Sequence, residues 1–280
     1  MRDYALDRDI ERLIRTALDE DLPAGDLTTG ALGLGDRHAE AALLAKQGCT
    51  LSGLAVACRV FTIVDPTVRF ETLRRDGETV PAGTRLALVS GPAGALLAAE
   101  RTALNLIQRL AGIATATRSL VEQVAGTRCL VLDTRKTTPG LRLLEKAAVR
   151  DGGGVNHRFN LSDGVLIKDN HVRLAGGVAA AVAAVRSRIL PGTRIEVEAE
   201  TLGQVQEALD AGADVVLLDN ADPALAASAA RLVAGRAILE VSGGITAANA
   251  RAMAESGADC LSSGALTHSA PAVDISLEFL

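Results

Sequence analysis

Short apolar runs alternate with helical patterns through the second half of the chain. The apolar runs cover residues 129–132, 165–167, 195–197, 215–218, 237–241 and 259–261. Each precedes a segment with apolar residues at helical spacing, namely 141–150, 178–188, 202–211, 223–233 and 247–256 for the clearest cases. Strands that alternate with helices form right-handed βαβ units around a parallel sheet that is buried on both faces. The nearly constant spacing of the later strands favours an α/β barrel over a doubly wound sheet, although both would fit.

The first part of the chain shows a different pattern. Residues 9–20 carry apolar side chains at helical spacing with charges between them, which predicts an amphipathic helix, and residues 19–29 indicate a loop. Short alternating strands with Gly and Pro turns follow between residues 38 and 89, with a helix predicted at 54–63. A long helical pattern at 93–118 then leads into the βα repeat. These patterns predict a strand-rich α+β unit ahead of the parallel sheet.

Composition and charge exclude several classes of protein. A chain of 280 residues can bury the core of one large domain or of two moderate ones. One Tyr, four Phe, no Trp and a net charge of −5 argue against a nucleic-acid surface, which needs aromatic rings and cations. The four cysteines are far apart and indicate reduced thiols in a cytoplasmic protein. Residues 1–9 are charged and lack the apolar core of a signal peptide, and no apolar run reaches the length of a membrane span.

Cationic residues are concentrated between residues 133 and 171 of this acidic chain. Arg135, Lys136, Arg158 and Lys168 lie there beside apolar runs. Buried cations need anionic partners, and the planar fork of a guanidinium matches a carboxylate or a phosphate. The cluster therefore predicts a site for an anionic small molecule. The alternative is that each of these side chains is a solvated surface charge.

Polar residues follow the apolar runs at the point where each predicted strand ends. In a parallel α/β barrel these ends meet at one rim, which is where ligands bind. The repeated placement therefore predicts an active-site rim. Its residues are Asp133, Thr134, Arg135, Lys136, Lys168, Asp169, Asn170, Glu198, Asp219, Asn220, Ser242, Gly243, Gly244, Ser263, Gly264 and Ala265.

Two small-residue segments and two acids have candidate roles within this rim. Ser242-Gly243-Gly244 and Ser263-Gly264-Ala265 can present backbone N–H groups to a phosphate, although each segment alone is also compatible with an ordinary turn. Glu198 and Asp219 fit ribose hydroxyls and Mg²⁺, a hard cation that binds few carboxylates together with substrate phosphates. The alternative for both acids is a structural ion pair with a lysine of the rim.

Further candidate residues leave alternatives open. His157 is equally compatible with hydrogen bonding to a substrate and with a core position tied to the backbone. Lys168 could form a Schiff base with a carbonyl substrate, as in barrel aldolases. Arg101 can share a helix face with Asn105 and Arg109, and the sequence alone favours an exposed charge at Arg101.

Three segments carry the resemblance of this chain to a known family. They are Asp133-Thr134-Arg135-Lys136-Thr137-Thr138-Pro139-Gly140, then Gly152-Gly153-Gly154 with Asn156-His157-Arg158, and Ile167-Lys168-Asp169-Asn170-His171. On these motifs the chain resembles the quinolinate phosphoribosyltransferases, and the resemblance extends from residue 20 to residue 269. It implies an α/β fold with an N-terminal α/β sandwich domain over residues 1–104 and an incomplete, TIM-like parallel α/β barrel over residues 105–269. A C-terminal tail, 270–280, would pack back on the first domain.

The resemblance also implies an activity. Enzymes of this family join quinolinate to 5-phosphoribosyl-1-pyrophosphate (PRPP) in the presence of Mg²⁺. They release pyrophosphate and CO₂ and make nicotinate mononucleotide for NAD synthesis. They work as homodimers with composite sites, in which Arg101 of the partner subunit would reach the substrate, and a higher oligomer stays open. Lys136, Glu198 and Asp219 are the expected catalytic residues, with the two acids near the Mg²⁺. The substrate-binding residues it implies are Arg101, Thr134, Arg135, Lys136, His157, Arg158, Lys168, Glu198, Asp219, Ser242, Gly243, Gly244, Ser263, Gly264 and Ala265.

The chain departs from the family pattern at a few positions. Ala147, Gly164, Ala221 and the serines at 262 and 263 stand where the family often has bulkier or more apolar residues, and none belongs to the cationic set. A related phosphoribosyltransferase of molybdenum metabolism shares the Arg-Lys segment but usually lacks the run at 167–171, which this chain has. The remaining alternatives are a Schiff-base lyase that uses Lys168 and a non-catalytic anion-binding protein.

Overall fold

A computed structural model of the chain describes residues 8–280. The charged N-terminal segment that argued against a signal peptide lies outside this range, apart from Arg8 and Asp9. The chain forms two compact units. The N-terminal unit contains the residues up to 118 together with 138–153 and 270–280, and the parallel-sheet unit contains 119–137 and 154–269. Within the described range, no helix has both the length and the apolar character needed to cross a membrane.

The N-terminal unit is built around an antiparallel sheet with the strand order β12-β1-β5-β3. Its helices are α1 (Arg8–Asp21), α2 (Leu27–Leu32), α3 (Leu54–Val64), the greater part of α4 (Ala93–Gln123), and α5 (Arg142–Asp151). Its strands are β1 (His38–Ala45), β2 (Cys49–Thr50), β3 (Arg69–Thr72), β4 (Thr79–Val80), β5 (Arg85–Pro92) and β12 (Ile275–Phe279). The C-terminal strand β12 pairs with β1, with Leu277 opposite Leu43.

The core of this unit forms between the sheet and the helices. Helix α1 buries Ile10, Ile14 and Leu18, which lie on one face because they are four residues apart. Phe61 of α3 is fully buried, and its ring centroid lies 5.9 Å from that of Phe70 on β3. Burial of such apolar surface is the main favourable term in folding, at roughly 25 cal/mol per Å².

The parallel-sheet unit has six strands in the order β6-β11-β10-β9-β8-β7. All of their pairings are parallel. The strands are β6 (Leu130–Leu132), β7 (Val165–Ile167), β8 (Ile195–Ala199), β9 (Val215–Asp219), β10 (Ile238–Ser242) and β11 (Cys260–Ser262). The helices are α6 (Asp169–Ala175), α7 (Val178–Arg186), α8 (Leu202–Asp210), α9 (Pro223–Val233), α10 (Ala250–Glu255) and α11 (Ala265–His268). The mixed α/β fold class predicted from the alternation is confirmed.

The register of the parallel strands aligns the polar residues at their carboxyl ends. Ser242 at the end of β10 lies opposite Asp219 of β9 and opposite Ser262 of β11. Because side chains alternate between the two faces of a strand, Glu196 and Glu198 of β8 project to the same side. The strand ends thus present one row of polar groups, and a second polar layer lies beneath it.

Each unit is formed by more than one segment of the chain. The boundary predicted between residues 104 and 105 falls inside α4, a continuous helix of 31 residues. Residues 138–153, which the prediction assigned to the barrel, belong to the N-terminal unit. Helix α5 explains this difference, because its apolar residues Leu144, Ala148 and Val149 join the core of that unit.

Candidate active site

A cleft of about 540 Å³ opens at the carboxyl ends of the parallel strands. All of its lining residues belong to the parallel-sheet unit. The cleft brings together fourteen of the fifteen residues that were predicted to bind substrate, the exception being Arg101. The residues that line it are Thr134, Arg135, Lys136, His157, Arg158, Leu166, Lys168, Glu198, Leu217, Asp219, Glu240, Ser242, Gly243, Gly244, Ile245, Thr246, Ser262, Ser263, Gly264, Ala265 and His268.

The loop after β6 carries Arg135 and Lys136 and is held at both of its ends by buried hydrogen bonds. Asp133 is fully buried and accepts hydrogen bonds from the Asn156 side chain at 2.6 Å and from the backbone N–H of His157 at 2.8 Å. The hydroxyl of Thr267 donates to the carbonyl of Lys136 at 2.8 Å. These contacts fix the backbone from which the two cations project.

His157 is held in a defined tautomer by its neighbours. Its Nδ1 accepts the backbone N–H of Arg158 at 2.7 Å, so the ring proton lies on Nε2. That nitrogen donates to the carboxylate of Glu196 at 3.1 Å. The side chain of Arg158 donates to the carbonyl of Gly164 at 3.3 Å. The ring of His157 is thus hydrogen-bonded to the backbone and also lines the cleft. Both positions that the sequence left open for it, at the substrate and tied to the backbone, stay compatible with the structure.

Lys168 and Glu198 form an ion pair across two neighbouring strand ends. The Lys168 Nζ lies 2.8 Å from Glu198 Oε2. Its backbone N–H donates to Nδ1 of His171 at 2.9 Å, which fixes the start of α6. The structural alternative for Glu198, an ion pair with a rim lysine, is therefore present in the structure. It does not remove either group from the cleft, since both line it.

The turn after β10 requires glycine at position 243. Gly243 has φ +85°, and a Cβ there would overlap the side chain and the backbone nitrogen of Asn220. Asn220 itself has φ +53° and donates from its side chain to Asp219 at 2.8 Å. The backbone of this turn can therefore approach a ligand without an intervening side chain, as phosphate-binding turns do.

The turn after β11 is less restricted, because an added Cβ on Gly264 would meet side chains and not backbone. A Cβ on Gly264 would come within 2.8 Å of Lys136 Cδ and 3.1 Å of the His268 ring. The hydroxyl of Ser263 is buried and donates to the carbonyl of Ile245 at 3.0 Å. This bond links the two small-residue turns that were predicted to bind phosphate.

Beneath the cleft lies a polar cluster that the sequence analysis missed, formed by His157, Glu196 and Glu240. One ligand-type atom from each lies within 4.8 Å of the others. The His157 Nε2 lies 3.7 Å from Glu240 Oε2. Burial raises the pKa of Glu240 to about 7, with a further contribution from the charge of Glu196 and an opposing one from His157. The sequence does mark both acids, because each is a charged residue inside an apolar strand. Glu196 lies two residues before Glu198, and Glu240 lies two residues before Ser242.

Two family models match the chain over almost its whole length. The model described as quinolinate phosphoribosyl transferase, C-terminal domain, matches residues 113–278, and the corresponding N-terminal domain model matches residues 26–111. The chain belongs to the quinolinate phosphoribosyltransferase family. This confirms the resemblance drawn from the Arg-Lys and Lys-Asp-Asn-His segments.

Relatives in this family are similar along most of their length. A probable nicotinate-nucleotide pyrophosphorylase [carboxylating] of Bacillus subtilis is 42% identical over 269 residues, with 96% of this chain and 93% of the relative covered. A chloroplastic nicotinate-nucleotide pyrophosphorylase [carboxylating] of Arabidopsis thaliana is 40% identical, with 96% and 82% covered. The crystal structure of NadC from Streptococcus pyogenes superposes with a TM-score of 0.93 at 41% identity, with 97% of each chain covered.

Arg101, which the family resemblance assigned to a partner's site, does not line this cleft. It is exposed on α4 of the N-terminal unit, as is Asn105. Arg109 is different, because its guanidinium lies 3.0 Å from the fully buried carboxylate of Glu145 and donates to the carbonyl of Ala270 at 3.2 Å. Arg109 follows Arg101 and Asn105 at intervals of four residues on the same helix, and its ion pair leaves its side chain only 26% exposed.

Proposed function

We propose that this chain transfers the phosphoribosyl group of PRPP to quinolinate with loss of CO₂, which gives nicotinate mononucleotide and pyrophosphate for NAD synthesis. One observation carries the proposal: a single cleft contains four cations, three acids and two small-residue turns at the ends of parallel strands. Quinolinate brings two carboxylates and PRPP brings a phosphate and a pyrophosphate. The positive charge of the cleft matches this load, and the names of the relatives agree with it.

The quinolinate side of the cleft consists of Arg135, His157, Arg158 and Lys168, with the hydroxyl of Thr134 beside them. Guanidinium groups bind carboxylates through paired hydrogen bonds, and Lys168 adds a compact charge. Burial, followed by the nearby charge of Arg135, lowers the pKa of Arg158. Two cations that repel each other in this way favour the binding of a dianion between them.

The PRPP side consists of Lys136, Glu198, Asp219 and the two small-residue turns. Lys136 faces the pyrophosphate, the turns at 242–244 and 263–265 cradle the 5-phosphate, and the acids accept hydrogen bonds from ribose hydroxyls. The oxygen donors of Glu198 and Asp219 fit Mg²⁺, which prefers a few carboxylates together with substrate phosphates. When bound there, Mg²⁺ would neutralise charge on the pyrophosphate leaving group.

The chemistry that these residues support is positioning and charge stabilisation. The lone pair of the pyridine nitrogen attacks C1 of the ribose while the bond from C1 to the pyrophosphate oxygen breaks. Glu198 and Asp219 stabilise the positive charge that develops on the ribose, and Lys136 stabilises the departing pyrophosphate. The bond from ring carbon C2 to its carboxylate then breaks, CO₂ leaves, and C2 takes up a proton.

We further propose a homodimer in which Arg101 of the partner subunit completes the quinolinate pocket. The exposed position of Arg101 on α4 supports this role, because a donated cation has to be accessible on its own subunit. A cytoplasmic location is supported by the four cysteines, all of which are free thiols.

The competing functions fit the site less well. A Schiff base requires a neutral amine, and the Lys168 ammonium is paired with Glu198 at 2.8 Å. The related enzyme of molybdenum metabolism usually lacks the run at 167–171, whose Lys168 and His171 are joined here by a hydrogen bond. A protein that only binds anions has no need for Glu198 and Asp219, the two acids at the rim.

The decisive experiment supplies purified protein with quinolinate, PRPP and Mg²⁺ and measures pyrophosphate, CO₂ and nicotinate mononucleotide. Formation of all three in equal amounts is expected. Borohydride reduction with quinolinate should leave Lys168 unmodified. No turnover by folded, dimeric protein would contradict the proposal.

A further inference from the structure

Two cavities at opposite ends of the parallel strands share three residues. The substrate cleft opens at the carboxyl ends, and a second cavity of about 370 Å³ opens at the amino ends. Residues that begin strands line the second cavity, among them Val165 and Val215. His157, Arg158 and Glu240 line both cavities. The buried cluster of His157, Glu196 and Glu240 thus lies between the cleft and the second cavity.

The tautomer of His157 limits what this cluster can bind. A metal ligand needs a free lone pair on Nε2, but the hydrogen bond that Nδ1 accepts from Arg158 places the ring proton on Nε2. The same bond opposes a second proton on Nδ1. An additional proton in the cluster therefore resides on a carboxyl group, and the cluster is built for protons rather than for a metal ion.

Glu240 is the carboxyl group best placed to hold that proton. Its side chain is 4% exposed, and its Oε1 has no hydrogen-bond partner within residues 8–280. In the register of the sheet its neighbours are Leu217 on β9 and Cys260 on β11, and burial raises the pKa of the Cys260 thiol to about 12, so the thiol is neutral. An unpartnered carboxyl oxygen on a buried side chain favours the protonated acid.

The charged groups around Glu240 act in opposite directions. Glu196 and Asp133 disfavour its ionised form, whereas His157 and a hydrogen bond from Ser262 favour it. Arg158 is attracted to Glu196. Glu196 has His157 Nε2 as a partner at 3.1 Å, whereas Glu240 Oε1 has no partner within residues 8–280, so the proton is assigned to Glu240.

We propose that Glu240 is the acid that protonates ring carbon C2 of the pyridine after CO₂ has left, with Glu196 and His157 as positioning residues. This inference rests on the function proposed above. Breaking the bond from C2 to its carboxylate leaves the electron pair on C2 and releases CO₂. That pair takes the proton from Glu240, which becomes a carboxylate. Water in the second cavity returns a proton to Glu240 before the next turnover.

Glu240→Gln tests the proposal because an amide has the same shape and cannot donate an acidic proton. In a rapid-quench experiment, the first-turnover release of pyrophosphate should stay within about threefold of the wild-type rate. Formation of nicotinate mononucleotide should fall by roughly 10²-fold or more, the range of general acid catalysis, while the KM for quinolinate changes little. Glu207→Gln, an exposed acid on α8 of the same unit, is the matched control and should leave both rates unchanged.

Four outcomes of this experiment are distinguishable. Slow product formation with fast pyrophosphate release supports the proposal. Equal loss of both rates shows a structural role and overturns it, as does wild-type turnover by the variant. Absence of pyrophosphate release by the wild-type protein would instead overturn the proposed function.

Glu196→Gln provides an independent test if Glu240→Gln does not fold. Removing the charge of Glu196 removes the repulsion that raises the pKa of Glu240. Product formation requires the protonated acid, so it falls as pH rises through that pKa. The alkaline limb of the pH profile should therefore move to lower pH in Glu196→Gln. An unmoved limb would overturn the proposal.

Discussion

The Lys168 ammonium and the Glu198 carboxylate, which end neighbouring parallel strands, lie 2.8 Å apart within the cleft. Lys168 is about half exposed, with 48% of its side chain accessible, so the pair contributes on the order of 0–1 kcal/mol to stability. In the proposed function, the two charges of this pair contact different substrates.

Replacing Lys168 should therefore separate stability from activity. Lys168→Ala should leave the melting temperature within a few degrees of wild type and lower kcat/KM for quinolinate by on the order of 10²-fold, because a charge-assisted contact is lost. The matched control is Lys46→Ala, which breaks the Lys46–Glu278 ion pair of the N-terminal unit. This pair is also 2.8 Å long, and its lysine is about as exposed as Lys168. Melting curves and steady-state kinetics measure both effects. Equal kinetic losses in the two variants would refute a role for Lys168 in binding.

The choice between quinolinate and nicotinate should depend on Arg158. Nicotinate has one carboxylate fewer, so it leaves a cation of the pocket unpaired and should be a poorer substrate by on the order of 10²-fold. Arg158→Ala should narrow this preference by reducing quinolinate turnover much more than nicotinate turnover. Lys136→Ala should weaken use of both acids without changing their ratio. Comparable use of the two acids by the wild-type enzyme would argue against this assignment.

Mixing two inactive variants should restore part of the activity if Arg101 is donated across a dimer. Arg101→Ala should fold normally, since its side chain is exposed, but should lose activity. A dimer that combines Arg101→Ala with Lys136→Ala contains one intact composite site. Up to a quarter of the wild-type activity is expected after full subunit exchange, because roughly half of the dimers are then mixed. No recovery in mixtures shown to exchange would mean that Arg101 acts within its own chain or not at all.

The stability of the protein should decrease above neutral pH because of Glu240. Burial raises the pKa of this carboxyl from 4.5 to about 7, so the folded state binds the proton more tightly than the unfolded state. The resulting stability is fully present below pH 4.5 and is lost as pH rises through 7. Glu240→Gln should therefore melt several degrees above wild type at pH 8, because the amide does not ionise. A difference of about 1 kcal/mol in the free energy of unfolding corresponds to roughly 2–4 °C in melting temperature. At pH 5 the difference in melting temperature between the variant and the wild type should be smaller. An equal difference at pH 5 and pH 8 would show that ionisation of Glu240 is not the cause.

The rim of the site could be predicted because its signal is local. Most rim residues lie at the carboxyl end of an apolar strand or shortly after it, and parallel strands carry their ends to one place. The clustering of Lys136, Lys168, Glu198 and Asp219 in one cleft needed no knowledge of distant contacts. The pairing of Lys168 with Glu198 also follows from their adjacency, because β7 and β8 are neighbours.

Features that depend on tertiary contacts could not be predicted from the local sequence pattern. Helix α2 lies in a segment predicted as a loop, and it forms because Asp26 accepts the backbone N–H groups of Thr28 and Thr29. The buried acids Glu196 and Glu240 lie inside apolar runs, where a strand pattern gives no indication that two acids from different strands meet. The assignment of α5 to the N-terminal unit likewise depends on where its apolar face packs.

The glycine at position 243 makes the two ends of the site unequal in their capacity to change. No side chain fits there, because both the amide and the backbone nitrogen of Asn220 occupy the space and φ is +85°. Position 243 therefore accepts only glycine, whatever residue stands at 220. The end that we propose for quinolinate carries long cationic side chains, which can be exchanged without moving the backbone. Directed evolution toward other acceptor acids should therefore find its useful substitutions around Arg135 and Arg158, and the requirement for PRPP should persist in every variant.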